Sequence, residues 1–319
     1  MRAKLLLAAV GCALGLAAPA RATDTIEIGL IGAANAVEWP FYIGVHKNFF
    51  ADAGINLDVI YVPTAAGLVQ QLAAGSLDVV DIGAVEPIHA VSRGAAVAIL
   101  RISGAVSPYE IVAKPEIKSI KDLKGHTVVI GGLVDINRVY LERVLKAAGL
   151  KDSDIDITVA GSTSTRFAAI KSGTADVTML APPVNFFAEA AGFNNIGMMI
   201  DYTKDLPFGA TDVSLAFAQK HHDALMRFMG ALDKSFAWFN DDKNYDAAID
   251  ILVDEMKAPK RDDIAKSYDY MRKIGFFPAT NVISRKRLES LMNEMVAIGD
   301  TEGKVPLDKL LLPGANVAD

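Results

Sequence analysis

The 319-residue sequence contains a single cysteine, Cys12, which lies in an N-terminal segment that we expect to be removed. Arg2 and Lys4 begin this segment, residues 5–18 form an apolar run, and Ala20-Arg21-Ala22 has the small-x-small pattern of a signal-peptidase site. Cleavage there leaves a mature chain without thiols, which excludes disulfides, thiol nucleophiles and cysteine-bound metals. We therefore predict an exported, periplasmic protein that is stabilised by its core.

Lipid anchoring at Cys12 is the alternative fate of this segment. Ala9-Val10-Gly11-Cys12 resembles a lipoprotein box, but it lacks the usual Leu three residues before the cysteine. Apolar sequence also continues past Cys12. We favour cleavage after about Ala22.

The predicted mature chain also lacks an excess of positive charge. The signal segment contains three basic residues and no acidic one, which leaves 29 basic and 38 acidic residues and a net charge of −9. Nucleic-acid binding requires basic surfaces, so we expect no nucleic-acid partner. No later segment is long and apolar enough to cross a membrane. This balance is typical of a soluble protein, and we expect a monomer.

Motifs for metal, nucleotide or covalent chemistry are missing as well. The five histidines are scattered or adjacent, without metal-ligand spacing and a third ligand nearby. No phosphate-binding loop with Lys-Ser/Thr and no serine nucleophile elbow occurs. We therefore expect no cofactor, no metal site, no ATP hydrolysis by this chain and no enzyme activity.

Two segments, 65–87 and 164–185, resemble each other. Gly75 aligns with Gly173, and Asp78 aligns with Asp176. Each copy reads as an amphipathic helix, a glycine where the helix ends, and a short apolar strand that belongs in the centre of a parallel sheet. Ligands bind outside the carboxyl ends of strands in open α/β sheets. The repeat therefore predicts two α/β lobes whose strand ends face each other.

The order of elements predicts how the lobes are divided. Strands and helices alternate over 26–102, and a second series begins at 127, which predicts doubly wound sheets. Crossovers fall near 103–108 and 205–209, and a strand at 213–218 should rejoin the first sheet. The predicted divisions are a signal peptide (1–22), lobe 1 (23–105 plus 210–319) and lobe 2 (106–209). The rest of the chain, from about 225, reads as packing helices.

Four features resemble the periplasmic solute-binding proteins of ABC importers. They are the signal peptide, PFYIGVHKNFFADAGINLDVIYV at 40–62, LVQQLAAGSLDVVDIGA at 68–84 and SIKDLKGHTVVIGG at 119–132. The most similar group is the NMT1/THI5-like one, with alkanesulfonate, taurine, nitrate and thiamine-precursor binders. The resemblance implies an α/β, type II periplasmic binding fold in which two lobes close on one small molecule about a two-strand hinge. It also implies two partners, a membrane permease and its cytoplasmic ATPase.

Two other functions remain open for this fold. One is an enzyme of thiamine-pyrimidine or menaquinone-precursor chemistry, although the Cys-rich iron motif of the pyrimidine synthases is missing and export argues against a biosynthetic role. The other is a sensory binding protein that reports ligand occupancy to a membrane receptor. For the ligand we expect a carboxylate, a sulfonate or an amphoteric nitrogen compound, with a pyrimidine as a further alternative.

Candidate ligand contacts of lobe 1 follow from the loops at its strand ends. Trp39 could stack on a planar ligand, or it could fasten the helix start to the core. Glu38 and Glu86 bring negative charge to the cleft, which favours a ligand with an amine or amide donor. The lobe 1 candidates are Asn35, Glu38, Trp39, Phe41, Thr64, Ala84 and Glu86.

Candidates of lobe 2 lie after its own strands. The hydroxyl-rich start of the helix at 162–166 suits an anion, or its Ser and Thr residues only cap the helix. Arg138 could bind a carboxylate or sulfonate by two hydrogen bonds, or it could form an ion pair. Asp135 could be no more than a helix cap. The lobe 2 candidates are Leu133, Asp135, Asn137, Arg138, Ser162, Thr163, Ser164, Arg166, Pro182 and Asn185.

Overall fold

The computed structural model describes residues 23–32, 35–257 and 260–319. The predicted signal peptide and Cys12 lie outside these described residues. The strands are β1 Asp24–Ile31, β2 Ile55–Val62, β3 Val79–Gly83, β4 Val97–Gly104, β5 Glu110–Ala113, β6 Thr127–Ile130, β7 Asp156–Val159, β8 Val177–Leu180, β9 Asn194–Met198, β10 Gly209–Ser214, β11 Ile283–Ser284 and β12 Val317–Ala318.

Helices connect these strands and form the C-terminal part. They are α1 Trp39–His46, α2 Phe49–Asp52, α3 Ala65–Ala74, α4 Val85–Ser92, α5 Ile136–Ala148, α6 Thr163–Lys171, α7 Val184–Ala190, α8 Ile200–Thr203, α9 Leu215–Lys220, α10 His222–Asn240, α11 Tyr245–Glu255, α12 Arg261–Lys273, α13 Arg285–Ala297 and α14 Leu307–Leu310. None of the helices in the described part of the chain has the length and apolar character needed to cross a membrane.

Two five-stranded sheets share one topology. The first has the order β2-β1-β3-β10-β4 and the second the order β7-β6-β8-β5-β9. In each, a strand that has crossed from the other sheet lies antiparallel between two neighbours: β10 between β3 and β4, and β5 between β8 and β9. We call the first sheet with its packed helices lobe 1 and the second lobe 2. The two crossovers are the predicted two-strand hinge.

The internal repeat is present in three dimensions. Helix α3 leads to Gly75 and helix α6 to Gly173, both with the positive φ that glycine adopts readily. The following strands, β3 and β8, are buried along their whole length and lie in the middle of their sheets. The two copies therefore end at corresponding edges of their own sheets, and these edges face each other across the space between the lobes. The α/β, two-lobe prediction is confirmed.

The C-terminal helices pack on lobe 1. Helix α1 lies against α10 and α11, and the rings of Phe50 and Phe228 stack with 5.6 Å between their centroids. Two details of the sequence interpretation are wrong. The returning strand is Gly209–Ser214 rather than 213–218, because Leu215 already begins a helix. Strand β9 was not predicted, since its sequence NNIGM has no apolar run.

Candidate functional site

A cleft lies between the lobes, at the carboxyl ends of their central strands. It encloses about 640 Å³, including space that is open to solvent. Its described lining residues are Ile31, Asn35, Val37, Glu38, Pro63, Thr64, Ala65, Asp81, Ile82, Gly83, Glu86 and Phe208 on the lobe 1 side and Tyr109, Gly131, Asp135, Ile136, Asn137, Gly161, Ser162, Thr163 and Arg166 on the lobe 2 side.

The lobes touch at two points around this cleft. A Cβ built on Gly161 of lobe 2 would lie 3.3 Å from the carbonyl oxygen of Pro63 in lobe 1. A Cβ on Gly83 of lobe 1 would lie 3.2 Å from the Cβ of Ile136 in lobe 2. Glycine at these positions therefore allows the two lobes to approach closely beside the cleft.

Acidic side chains outnumber basic ones among the described lining residues of the cleft. Four of its described lining residues are acidic: Glu38, Asp81 and Glu86 of lobe 1, and Asp135 of lobe 2. Within the described residues, no group of three His, Cys, Asp or Glu side chains has the geometry of a metal site.

Glu38 and Asp81 lie on the lobe 1 wall. Burial raises the pKa of Glu38 well above its usual value, although Tyr42 donates its hydroxyl to Glu38 Oε2 at 2.7 Å. Asp81 accepts hydrogen bonds from Thr211 Oγ1 at 2.6 Å and Ser103 Oγ at 3.0 Å. Burial nevertheless raises the pKa of Asp81 to about 7. Both carboxyls therefore hold protons more strongly than exposed ones do.

Glu86 and Asp135 belong to opposite lobes and repel each other electrostatically. Burial, with smaller contributions from Asp135 and Asp300, raises the pKa of Glu86 to about 8. Burial also raises the pKa of Asp135 to about 6, against the opposing effect of Arg166. Asp135 caps α5 by accepting from the backbone N–H of Asn137 at 2.9 Å and of Arg138 at 3.2 Å. Glu86 is 6% exposed, and its Oε2 has no hydrogen-bond partner.

Arg166 is the one basic side chain among the described lining residues, and its donors are engaged within lobe 2. Its Nε and Nη2 donate to the carbonyl oxygen of Met179 at 3.1 and 3.0 Å, and Nη2 also donates to Thr163 Oγ1 at 3.2 Å. Its Nη1 donates to the carbonyl of Gly161. Arg166 lines the cleft, and four of its five N–H groups donate to oxygen atoms of lobe 2, so the guanidinium does not offer a free fork to an anion.

An aromatic wall comes from the hinge. Tyr109 lies directly before β5 and Phe208 lies directly before β10, so each residue stands at the end of one crossover. Their rings meet edge to face with centroids 5.2 Å apart. Sequence reasoning missed these two residues and Asp81 as cleft residues. The signal for Asp81 was present, because it is the only charged residue in the buried strand VVDIG.

Hydroxyl and amide side chains at three helix starts also line the cleft. Asn35 Oδ1 accepts from the N–H of Val37 at 3.4 Å, Thr64 Oγ1 from Gly67 at 3.2 Å, and Ser162 Oγ from Thr165 at 3.3 Å. These residues cap their helices and also face the cleft. The capping interpretation is confirmed for these atoms, and contact of the same residues with a ligand stays a prediction.

Three predicted contact residues lie elsewhere. Trp39 is fully buried in lobe 1, where its Nε1 lies 2.9 Å from Met256 Sδ and its ring stacks on Tyr268 at 6.3 Å. Phe41 is buried in the same core. Arg138 forms ion pairs with Glu142 at 2.5 Å and with Asp152. For these residues, core packing and ion pairing take the place of ligand contact.

The remaining candidates lie around the cleft without lining it. Pro182 and Asn185 are buried in lobe 2, and Ser164 is exposed on α6. Ala84 is buried and donates its N–H to the carbonyl of Phe208 at 2.9 Å, which ties the end of β3 to the hinge. Leu133 is 58% exposed and lies at the outer edge of the interlobe space.

Comparison with known proteins shows consistent similarity. The sequence model of the NMT1/THI5-like family matches residues 35–243. A formylaminopyrimidine-binding protein of Halalkalibacterium halodurans is 24% identical over 253 residues, which cover 76% of this chain and 74% of that protein. The periplasmic aliphatic sulphonate-binding protein SsuA of Escherichia coli superposes with a TM-score of 0.72 at 18% identity, over 93% of this chain and 94% of its own. The desulfurization enzyme DszB superposes with a TM-score of 0.66 at 15% identity, over 91% and 97%.

Proposed function

Because the chain belongs to the NMT1/THI5-like family, we propose that it is the extracytoplasmic solute-binding component of an ABC importer. It captures one small molecule between its lobes and presents the closed form to a membrane permease, whose ATPase lies in the cytoplasm. The two-lobe fold, the cleft at the strand ends and the close interlobe contacts support this proposal.

The ligand that fits best carries hydrogen-bond donors or positive charge on nitrogen. The single observation that carries this choice is the set of four carboxyls in the cleft beside one arginine, whose guanidinium donates to carbonyl and hydroxyl oxygens of its own lobe. A sulfonate, a carboxylate or nitrate would be repelled by any of these groups that is ionised. An amine, amidine or aminopyrimidine would pair with them and replace the solvation that burial removes.

A planar ligand is favoured by the aromatic wall. Tyr109 and Phe208 offer ring surface beside the carboxyls. An aminopyrimidine combines a flat ring with nitrogen donors, and the name of the Halalkalibacterium relative points to the same class. We therefore propose an aminopyrimidine-like ligand.

Binding would couple the lobes through Glu86 and Asp135. Burial and the charge of Asp135 both raise the pKa of Glu86, so a second negative charge at this place is unfavourable. A ligand whose donors bridge both carboxylates removes the repulsion and shifts the population of molecules towards the closed form. No covalent step is required of the chain.

Calorimetric titration of the purified protein tests this function. We expect a formylaminopyrimidine or 4-aminopyrimidine to bind and to be recovered unchanged, and ethanesulfonate and nitrate to give no heat. Tight binding of ethanesulfonate with no pyrimidine binding would refute the proposed ligand class. Chemical conversion of the pyrimidine would replace the binding role with an enzymatic one.

A further inference from the structure

A second hollow opens beside the cleft, and we call it the outer groove. It lies between α3 of lobe 1 and residues 131–135 of lobe 2, and it spans about 1140 Å³, including space open to solvent. Leu133, Val134 and Val159 form its lobe 2 wall, with 58%, 47% and 52% of their surface exposed. These are three of the most exposed large hydrophobic side chains in the described part of the chain.

Lobe 1 supplies an apolar wall opposite them. Ala65, Val69 and Ala73 lie one helical turn apart on α3 and all line the groove. Small side chains at this spacing leave a smooth channel along the helix. The outer groove therefore has apolar surface on both lobes, and polar or charged side chains line other parts of it: Thr64, Gln70, Glu86, His89, Arg93 and Asp135.

The two spaces are continuous. Thr64, Ala65, Glu86, Gly131 and Asp135 line both the cleft and the outer groove. The unpartnered, buried Oε2 of Glu86 lies at this junction. A ligand whose donor group reaches Glu86 and Asp135 therefore has a direct way out along the apolar walls.

We propose that the outer groove binds an apolar substituent of the same ligand whose nitrogen-bearing head is held by Glu86 and Asp135. This inference rests on the proposed function and deepens it: the ligand is an amphipathic nitrogen compound. The exposed side chains of Leu133, Val134 and Val159 would lose water contact when the substituent binds, which favours binding. These three exposed side chains would then favour ligands that carry an apolar substituent.

A matched pair of compounds tests this proposal by calorimetry: 4-aminopyrimidine and 5-butyl-4-aminopyrimidine. We expect the butyl compound to bind the wild-type protein about tenfold or more tightly than its parent, because buried methylenes strengthen binding. In a Leu133→Ser, Val159→Ser double variant the two affinities should converge, while 4-aminopyrimidine keeps its wild-type affinity. Met226→Ser is the control, since Met226 is a 51% exposed residue outside the groove.

The possible outcomes distinguish a failure of the groove proposal from a failure of the proposed ligand class. Equal affinity of both compounds for the wild-type protein overturns the groove proposal and leaves the ligand class intact. Failure of both compounds to bind refutes the ligand class and the groove proposal together. Variants that bind both compounds as the wild-type does, but no longer support uptake by cells, would show that the outer groove contacts the permease, and this also overturns the proposal.

Discussion

Buried carboxyls are the residues that decide what this cleft can bind. Glu86 combines a pKa raised to about 8 with an oxygen atom that has no partner. A carboxyl in this state is costly to ionise in the empty protein and is stabilised by a donor from a ligand. Its chemistry leads to two predictions.

Glu86→Gln should weaken ligand binding and stabilise the empty protein. Loss of a charge-assisted hydrogen bond should lower the affinity for 4-aminopyrimidine about tenfold to hundredfold. At pH 8 the substitution should also raise the free energy of unfolding, because ionising the buried wild-type carboxyl destabilises the folded state and a neutral amide does not ionise. Titration calorimetry and urea denaturation measure the two effects. Glu116→Gln, at an exposed position, is the matched control and should change neither; a Glu86→Gln variant with wild-type affinity would contradict the assignment.

The empty protein should become less stable as pH rises from 5 to 8. In this range the folded state keeps protons on Asp135, Asp81 and Glu86, with pKa values of about 6, 7 and 8, while the unfolded chain has released them. The unfolded state then binds fewer protons, so the free energy of unfolding falls with pH, by about 1.4 kcal/mol for each unit of raised pKa that is crossed. Urea denaturation at pH 5, 6.5 and 8 measures this change. Constant or rising stability would show that these groups ionise normally in the fold.

Residue-level prediction from sequence succeeded where local rules apply and failed where packing decides. Helix capping was one of two interpretations for Asp135 and for the hydroxyl-rich run that begins at Ser162, and both residues do cap their helices. Trp39 was expected in the cleft because it belongs to the first loop, but its ring lies in the aromatic core with Tyr268. For Arg138, ligand contact and an ion pair were both open, and the observed partner is Glu142, four residues along the same helix. The sequence predicts where a helix begins, but the partners of a side chain depend on how the helices and strands pack.

At the scale of elements, the repeated helix-glycine-strand unit builds both walls of the site. The glycines and apolar runs of this unit are local signals, and the segments 65–87 and 164–185 that they predicted contain β3 and β8 as observed. The crossing strands are different, because their pairing joins residues that are far apart in sequence. Strand β10 pairs with β3 across more than a hundred residues, so its extent could not be derived from local pattern.

Gly83→Ala should impair closure of the lobes. The new Cβ would lie 3.2 Å from Ile136 in the other lobe and 2.5 Å from Glu86 Oε2, so both neighbours must move. We expect at least a tenfold loss of affinity for 4-aminopyrimidine and a loss of about 1–3 kcal/mol in stability from overpacking. Calorimetry and urea denaturation check this. Gly303→Ala has no atom within 4 Å of the new Cβ and serves as the control; unchanged affinity in Gly83→Ala would show that this contact is not needed for binding.

At the scale of the whole molecule, two similar sheets joined by two crossovers would allow the lobes to close on a ligand. Each lobe contributes at least one cleft carboxyl, so a ligand held at Glu86 and Asp135 joins the lobes directly. On the proposed function, the carboxyls that select the ligand are therefore also the groups through which the ligand joins the lobes. The fold could be predicted from the repeat and the family resemblance. The acidic side chains of the cleft could be predicted in part: Glu38, Glu86 and Asp135 were cleft candidates, whereas Asp81 was missed because it belongs to a strand and reaches the cleft only in three dimensions.

The measurement that tests the account most directly is mass spectrometry of the small molecule that is released when the protein, purified from the organism that makes it, is denatured. The account predicts an intact nitrogen compound with a basic or amino-bearing planar ring. Re-addition should stabilise the protein by about 2.7 kcal/mol at a hundredfold excess over Kd. Release of a sulfonate or another simple anion that restores stability on re-addition would contradict the central claim, because it would mean that the acidic cleft selects negative charge.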